Sequence, residues 1–333
     1  MSDARNPPDI VSSSSDEPLP DKADAPRVSI VIPAYNHARY LDEAIRSVLT
    51  QDYPYVELVV IDDGSTDDTH EVLQKYTGQF QIIRQQNSGQ SATLNRGWQI
   101  SSGRILGYLS ADDTLHAHAV SSAVAALEKN PNAVAVYPDF CLIDPSSAVV
   151  RTVNATGFNY RRVITEFECP PGPGAFFRRN AWQTAGGWNP ALRQMPDFDF
   201  WLRLGLCGDF IHVAEVLAGF RVHPGSLTFS PVAAARADEP ILIITAILAD
   251  PRVPAEIAAL RDVALGNAHI VSAQLHLRAG RLRECWQRVR TAFQLNPSGV
   301  FSIRFARALA NAVANRAGHR ILWTLRAMFR RSQ

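Results

Sequence analysis

The chain has 333 residues, 46 % of them hydrophobic and 20 % charged, and its formal net charge is +1. This size and composition are typical of a globular protein with one large core or a core plus a smaller unit, and the balanced charge gives no overall argument for nucleic-acid binding. No signal peptide is predicted, because the chain does not open with a charged segment followed by an apolar one. No spanning helix is predicted, because no run of about 18 apolar residues occurs. Free thiols in a reducing cytoplasm are expected, because no paired metal-site spacing links the cysteines Cys141, Cys169, Cys207 and Cys285.

Residues 1–26 differ in composition from the rest of the chain. They contain five prolines, a run of four serines at 12–15, and six acidic against two basic side chains. Because such a segment has too little apolar surface to offset the entropy of ordering, it is predicted to be a disordered leader.

From residue 27 the pattern alternates between short apolar runs and amphipathic segments. The runs predict strands at 28–32, 58–61, 80–83, 105–109 and 133–137. The amphipathic segments predict helices at 39–50, 70–76, 91–101 and 117–129. This alternation predicts an α/β fold, a Rossmann-like doubly wound sheet with helices on both faces.

After residue 139 the alternation weakens. The proline- and glycine-rich stretch 170–174 predicts a loop, 198–206 a helix, and 210–222 a strand or strand pair. From about 233 onward the sequence is typical of helices. Residues 268–297 resemble a single tetratricopeptide unit, but a generic helical cap is the preferred prediction, because such repeats need neighbours to bury their faces. We therefore expect one domain over 27–232 and a helical region over 233–333.

Two acidic doublets follow predicted strands. Asp62-Asp63 ends one apolar run and Asp112-Asp113 follows another. Ligands of open α/β sheets bind beyond the carboxyl ends of the strands, and adjacent carboxylates repel one another unless a cation or a hydrogen-bonding ligand joins them. The doublets predict one shared site for a metal ion and a phosphorylated ligand.

An ordered set of motifs strongly resembles the family-two inverting glycosyltransferases of GT-A fold. The motifs are VSIVIPAYN at 28–36, VVIDDGSTD at 59–67, NSGQ at 87–90, NRG at 95–97, LSADD at 109–113, GAFFRR at 174–179, GGW at 186–188, DFDFWLR at 197–203 and FRVHPGS at 220–226. They cover about residues 27–230 in the family's order and spacing. The implied fold is a mixed GT-A sheet flanked by helices, with a C-terminal helical extension.

The resemblance implies a nucleotide-sugar site. Asp63 matches the residue that contacts the nucleotide base, and Asp62 has a ribose or structural role. Ser110 stands where the family often has aspartate, so metal affinity and nucleotide preference are less defined. Asp112 and His223 match the ligands of a divalent cation, Mn²⁺ or Mg²⁺, that bridges the diphosphate. The other nucleotide-sugar-binding candidates are Pro33, Tyr35, Asn36 and Arg178, and Arg221 is a further candidate for phosphate or acceptor.

Inverting transfer needs a base that takes the acceptor's proton. Asp197 occupies that position in the resembling enzymes, although Pro196 replaces the glutamate that usually precedes it. Asp199 lies at the start of the predicted helix, and we expect it to cap that helix.

The sequence thus predicts a metal-dependent inverting glycosyltransferase with a nucleotide-diphospho-sugar donor and a glycan or lipid-linked acceptor in surface polysaccharide or glycolipid synthesis. A sugar nucleotidyltransferase is one alternative, although 33–39 lacks a glycine-rich basic loop. A non-catalytic sugar-nucleotide-binding or scaffold module is the other. Ser110 and Pro196 favour that module, whereas Asp112, Asp197 and His223 disfavour it.

The C-terminal tail is basic and amphipathic, with seven arginines after residue 300. Such a segment either packs on the domain or lies on anionic lipid. The expected localisation is the cytoplasm, with peripheral contact to the inner face of the cytoplasmic membrane as the alternative. Nucleic-acid binding is not expected, because no recognised module or aromatic platform is present.

Overall fold

The computed structural model describes the backbone of residues 10–12, and residues 25–223 and 232–301 in full. The chain divides into two compact units. Unit 1 takes its described residues from Met1–Phe158, Cys169–Ala191 and Pro196–Pro224, and unit 2 takes them from Asn159–Glu168, Leu192–Met195 and Gly225–Gln333. The predicted domain limits at 26, 232 and 333 stay predictions. Most of the leader and the tail beyond Phe301 lie outside the described residues.

Unit 1 is built on a ten-stranded mixed sheet, in the order β1-β4-β3-β2-β5-β9-β7-β10-β6 with β8 beside β7. Its strands are β1 (Ile10–Ser12), β2 (Val28–Ala34), β3 (Val56–Asp62), β4 (Gln81–Arg84), β5 (Ile105–Tyr108), β6 (Thr114–Leu115), β7 (Ala133–Ile143), β8 (Val149–Val153), β9 (Phe176–Arg178) and β10 (Asp209–Arg221). The α/β fold and the mixed sheet are as the sequence predicts.

Helices cover both faces of this sheet. They are α1 (Ala38–Leu49), α2 (Thr69–Gln74), α3 (Gln90–Ile100), α4 (Ala119–Lys129), α6 (Arg179–Ala185) and α7 (Pro196–Gly205). Alternate residues of β2 point to opposite faces, so that Ile30 packs in the same cluster as Leu41 of α1, whereas Val31 packs with Trp98 of α3 and Phe200 of α7. The two clusters form the core.

Strand direction determines where the site lies. β2 runs parallel to β3 and β5, and β10 runs parallel to β7. β9 is antiparallel to both β5 and β7, so β5 and β7 have the same direction. The carboxyl ends of β2, β3, β5 and β10 therefore share one edge of the sheet, which we call the carboxyl edge.

Unit 2 is helical, as its sequence pattern predicts. It contains α5 (Tyr160–Glu166), α8 (Ala234–Ala237), α9 (Glu239–Ile247), α10 (Ala255–Ala258), α11 (Arg261–Arg278), α12 (Leu282–Leu295) and α13 (Pro297–Val300). Asp238 ties these helices together, because it accepts hydrogen bonds from Ser272 of α11 and Arg288 of α12. Among the described residues, no helix combines the length and apolarity needed to cross a bilayer.

Candidate functional site

Asp62 ends β3 and stabilises the turn that follows it. The side chain is 1 % exposed, and Oδ1 accepts a hydrogen bond from the Ser65 backbone N–H at 2.8 Å. Oδ2 forms an ion pair with Arg84 Nε at 3.4 Å. Gly64 in this turn has φ +79°, and a Cβ there would lie 2.9 Å from the Asn87 nitrogen, so the turn requires glycine. Two roles were predicted for Asp62, a ribose contact and a structural role, and the structural role fits these contacts.

Asp63 anchors the loop between β4 and α3. Oδ1 accepts hydrogen bonds from Gln85 Nε2 and from both the backbone N–H and the hydroxyl of Ser88, and Oδ2 accepts one from the Gly89 N–H at 2.7 Å. Arg96 in turn donates to Gln85 Oε1 at 2.7 Å. No sequence motif predicts these contacts of Gln85 and Arg96. If Asp63 contacts the nucleotide base as predicted, it does so with a carboxylate that this loop already holds in place.

The residues after β2 face the same turn. Asn36 has φ +56°; its N–H donates to Ser65 Oγ at 2.9 Å, and its Oδ1 accepts from the Thr66 N–H at 2.7 Å. Tyr35 is 46 % exposed, which leaves its ring accessible for stacking. Pro33 is buried in β2 opposite Ile61, so it fixes the strand end rather than offering a side chain to a ligand.

The structure joins the two predicted metal ligands. Asp112 follows β5 and His223 follows β10, and Asp112 Oδ2 lies 3.0 Å from His223 Nε2. The His223 ring also packs against Tyr40, with ring centroids 5.1 Å apart. Both side chains are partly buried at the carboxyl edge.

Arg221 is a scaffold residue rather than a ligand for phosphate. Its side chain is 1 % exposed; Nε donates to the Asp112 carbonyl at 2.7 Å, and the same guanidinium forms an ion pair with Glu43 at 2.7 Å. The Arg221 backbone N–H donates to Asp113 Oδ1 at 2.8 Å. Burial, followed by the neighbouring Asp112 charge, raises the pKa of Asp113 well above its usual range. Arg221, the last residue of β10, thus holds in place the doublet Asp112-Asp113, which follows β5.

Asp197 lies near the end of β5. It occupies the first turn of α7, and burial raises its pKa. The pKa of Tyr108, the last residue of β5, is raised well above its usual value by burial and then by the charges of Asp197 and Asp113. Asp197 also contributes, after burial, to the raised pKa of Cys169. The charges of Asp197 and Asp113 therefore both raise the pKa of Tyr108, a residue that the sequence marks only as part of an apolar run.

Two other predicted motifs have structural explanations. Asp199 is not the N-cap of α7, because the helix begins at Pro196; its carboxylate instead forms an ion pair with Arg203 one turn later at 2.6 Å. Asn95 exchanges two hydrogen bonds with the backbone of Trp188, at 2.7 and 2.8 Å. Trp188 packs edge-on against Tyr108 at 5.1 Å. The NRG and GGW motifs thus hold Trp188 against Tyr108 at the end of β5.

Arg178 was predicted to bind the donor, and its position in the structure contradicts that prediction. It pairs with Ile105, the first residue of β5, and so lies at the edge opposite the site. Its guanidinium donates to the Ala133 and Leu127 carbonyls, both at 2.7 Å. The bond to Leu127 caps the last turn of α4 and the bond to Ala133 ties it to the start of β7, which explains why an arginine stands there.

The chemistry of Asp112 and His223 fits a divalent cation. A carboxylate oxygen and an imidazole nitrogen are both common ligands of divalent cations, and here they lie 3.0 Å apart, within hydrogen-bond distance of each other. Two protein ligands leave positions for phosphate oxygens and water. Among the described residues, no group of three or more histidine, cysteine or acidic side chains is placed to hold a metal ion alone.

A family model described as "Glycosyl transferase family 2" matches residues 29–181. Chondroitin synthase of Escherichia coli is 29 % identical over 199 residues, which are 57 % of this chain and 28 % of that protein. Hyaluronan synthase of Pasteurella multocida is 29 % identical over 197 residues, 57 % of this chain and 20 % of that protein. An uncharacterized glycosyltransferase of Rickettsia prowazekii is 29 % identical over 212 residues, 61 % and 66 % of the two chains.

Solved structures show the same fold. S. aureus TarS 1-349 in complex with UDP-GlcNAc has a TM-score of 0.59 and 17 % identity, over 82 % of this chain and 92 % of that one. Mannosyltransferase PcManGT of Pyrobaculum calidifontis, in complex with GDP-Man and Mn²⁺, has a TM-score of 0.58 and 18 % identity, over 96 % and 91 %. The chain spans less than a third of either synthase. Residues 29–181 therefore match glycosyl transferase family 2, and the chain shares the fold of these solved structures.

Proposed function

We propose that the chain is an inverting glycosyltransferase that moves a sugar from a nucleotide-diphospho-sugar to a hydroxyl group of a glycan or lipid-linked acceptor. The observation that carries the proposal is the pairing of Asp112 with His223 at the carboxyl edge, where Asp197 also acts on Tyr108. These groups are separate in sequence, and packing alone does not require a histidine and two carboxylates at this edge. A donor diphosphate and an acceptor hydroxyl account for them together.

Asp197 is the proposed general base. In a single displacement, the acceptor oxygen forms a bond to the sugar C1 while the bond from C1 to the diphosphate oxygen breaks. The acceptor proton passes to a carboxylate oxygen of Asp197, and the bond electrons leave with the nucleoside diphosphate. Because burial raises the pKa of Asp197, its carboxylate is a stronger base than an exposed aspartate.

The second doublet is the proposed diphosphate end of the site. Asp112 and His223 would hold a divalent cation, which supplies positive charge to the leaving diphosphate when it is bound. Arg221 keeps the backbone at Asp112 in place, so these ligands are set before the donor arrives. Ser110 offers a hydroxyl for the ribose without adding charge.

The first doublet and the end of β2 are the proposed nucleoside end. Tyr35 provides an exposed ring for stacking, and Asn36 and Asp63 lie on loops joined by hydrogen bonds. The complexes of TarS with UDP-GlcNAc and of PcManGT with GDP-Man and Mn²⁺ support a nucleotide-sugar donor and a metal ion here. The names of the two synthases support a glycan acceptor and a role in polysaccharide synthesis.

The test is to supply UDP-GlcNAc or GDP-Man, each with and without Mn²⁺, and to measure thermal stabilisation together with released nucleoside diphosphate. Metal-dependent stabilisation followed by release supports the proposal. Stabilisation with no release for any acceptor would favour the non-catalytic binding module. Absence of both responses across a panel of nucleotide-sugars would contradict donor binding itself.

A further inference from the structure

Helix α12 of unit 2 has a row of apolar side chains facing solvent. Leu282, Trp286 and Phe293 are exposed by 59, 68 and 46 % of their surface. Phe301, just after α13, is 80 % exposed, and its ring lies edge-on to Phe293 at 6.0 Å. We call these four residues the α12 stripe.

The α12 stripe is distinct from the side of the helix that builds the core. Cys285 of α12 is buried with Ala273 and Leu277 of α11, and Ala292 is also buried. At about 100° per residue, Leu282, Trp286 and Phe293 fall within about 40° of one another on the helix surface. Single exposed apolar residues are ordinary, whereas an aligned row with a tryptophan marks an interaction surface.

Charge on α12 is arranged around the stripe. The exposed arginines Arg283 and Arg290 lie about 60–80° from the centre of the stripe, whereas the one acid of α12, Glu284, lies about 180° away. No acidic residue follows Glu284 in the sequence, and nine arginines do. The surface is therefore apolar in its centre and positive at its side.

This charge selects among the partners that could cover the stripe. A second copy of α12 offers no acid to pair with Arg283 and Arg290, because its own Glu284 also lies about 180° from the stripe. Residues 302–333 of this chain carry seven further arginines and no acid, so they would also add like charge. An anionic lipid surface instead supplies an apolar layer for the stripe and negative headgroups for the arginines.

We propose that the α12 stripe docks unit 2 on an anionic lipid bilayer. Leu282, Trp286, Phe293 and Phe301 enter the boundary between headgroups and acyl chains, and Arg283 and Arg290 pair with the phosphates. The tryptophan suits that position, because its ring is apolar and its N–H remains near the headgroups. The proposal is independent of sugar transfer.

The test is cosedimentation of the full chain with phosphatidylcholine vesicles that contain or lack phosphatidylglycerol. Binding is expected only with phosphatidylglycerol and should weaken as NaCl rises. The triple variant Leu282→Ser, Trp286→Ser, Phe293→Ser should reduce the partition coefficient about tenfold or more, because it removes three apolar side chains from the interface. Circular dichroism of the variant checks that α12 remains folded.

Leu242→Ser is the matched control. Leu242 lies on α9 of unit 2, outside the stripe, and its exposure of 58 % is close to that of Leu282. The substitution should leave vesicle binding unchanged. Equal binding of the triple variant and the unchanged chain would overturn the proposal and assign binding to residues outside the stripe. A dimer in sedimentation velocity that the triple variant dissociates, without vesicle binding, would overturn it in favour of self-association.

Discussion

Asp112 and His223 are 111 positions apart in sequence, yet Asp112 Oδ2 and His223 Nε2 are separated by 3.0 Å. The contact arises because β5 and β10 run in the same direction within one sheet, so the residues after them reach the same edge. Arg221 strengthens it by donating to the Asp112 carbonyl and, through its backbone, to Asp113. The proposed metal ligands are therefore positioned by the fold before any ligand binds.

Asp112→Ala should remove the Mn²⁺ dependence of donor binding, because the diphosphate and the protein would no longer share the cation. Calorimetric titration of a nucleotide-sugar with and without Mn²⁺ measures this. Asp52→Ala is the control, because Asp52 forms another aspartate–histidine pair in unit 1, with His118 at 2.7 Å, outside the proposed site. Retained metal dependence in Asp112→Ala would remove that residue from the metal site.

Asp197→Asn should lower kcat by about 10²–10⁴-fold while donor binding is unchanged, because the amide keeps the size of the side chain but accepts no proton. Asp199→Asn is the neighbouring control. It weakens the ion pair with Arg203 on the same helix and should cost stability while turnover remains. Near-normal turnover of Asp197→Asn would exclude Asp197 as the base.

Asp197 also predicts a pH dependence of both activity and stability. Because burial raises its pKa, kcat/KM should fall as pH drops through a value above the usual aspartate range. Stability has the opposite sign: the folded state binds this proton more tightly than the unfolded state, so the contribution of Asp197 declines as pH rises from its unfolded pKa to its folded pKa.

Melting temperatures measured across this pH interval separate the stability effect. Asp197→Asn removes the titrating group, so its curve should lose the decline that the unchanged chain shows there. At neutral pH the variant should be the more stable protein, since it carries no buried charge at this position. An identical pH dependence of melting in both proteins would contradict the burial argument.

Gly187→Ala should destabilise unit 1 by about 1–3 kcal/mol, the usual cost of overpacking. A Cβ at Gly187 would lie 2.1 Å from Asn95 Oδ1 and would displace the side chain that holds Trp188. Because Trp188 packs on Tyr108, activity should also fall. Gly157→Ala is the control, because no atom lies within 4 Å of its added Cβ. Chemical denaturation measures both, and equal midpoints would refute the clash.

The sequence predicted the alternating part of the sheet well. Its strand and helix predictions between 28 and 137 match β2–β5, the start of β7 and α1–α4, because each has a local periodicity. β9 was missed because it is three residues long and is fixed by pairing with β5 and β7 rather than by its own pattern. The stretch 170–174 is irregular, as its prolines and glycines predict.

The sequence allows contacts at the site to be anticipated where a motif follows a strand, but not where only packing gives the position. Asp112 and His223 each follow a predicted strand, and the structure brings them together, while their role as metal ligands stays a prediction. Tyr108 and Gln85 carried no motif, and only the tertiary structure relates them to Asp197 and Asp63. Arg178 had a motif but lies at the wrong end of its strand, since β9 is antiparallel to β5, and the sequence did not reveal that direction.

The corrected role of Arg178 can be tested directly. Its guanidinium donates to the Leu127 carbonyl in the last turn of α4 and to the Ala133 carbonyl at the start of β7, so Arg178→Gln should lower the free energy of unfolding by about 1–3 kcal/mol, the cost of leaving buried acceptors unpaired. The KM for the donor should not change, because the side chain is at the edge opposite the site. Arg104→Gln is the matched control. Arg104 is an exposed arginine that lines a surface cleft together with Arg178, and its substitution should change neither the stability nor the KM. Denaturant melts with donor kinetics distinguish the two roles: a raised KM at unchanged stability would restore Arg178 to the donor site.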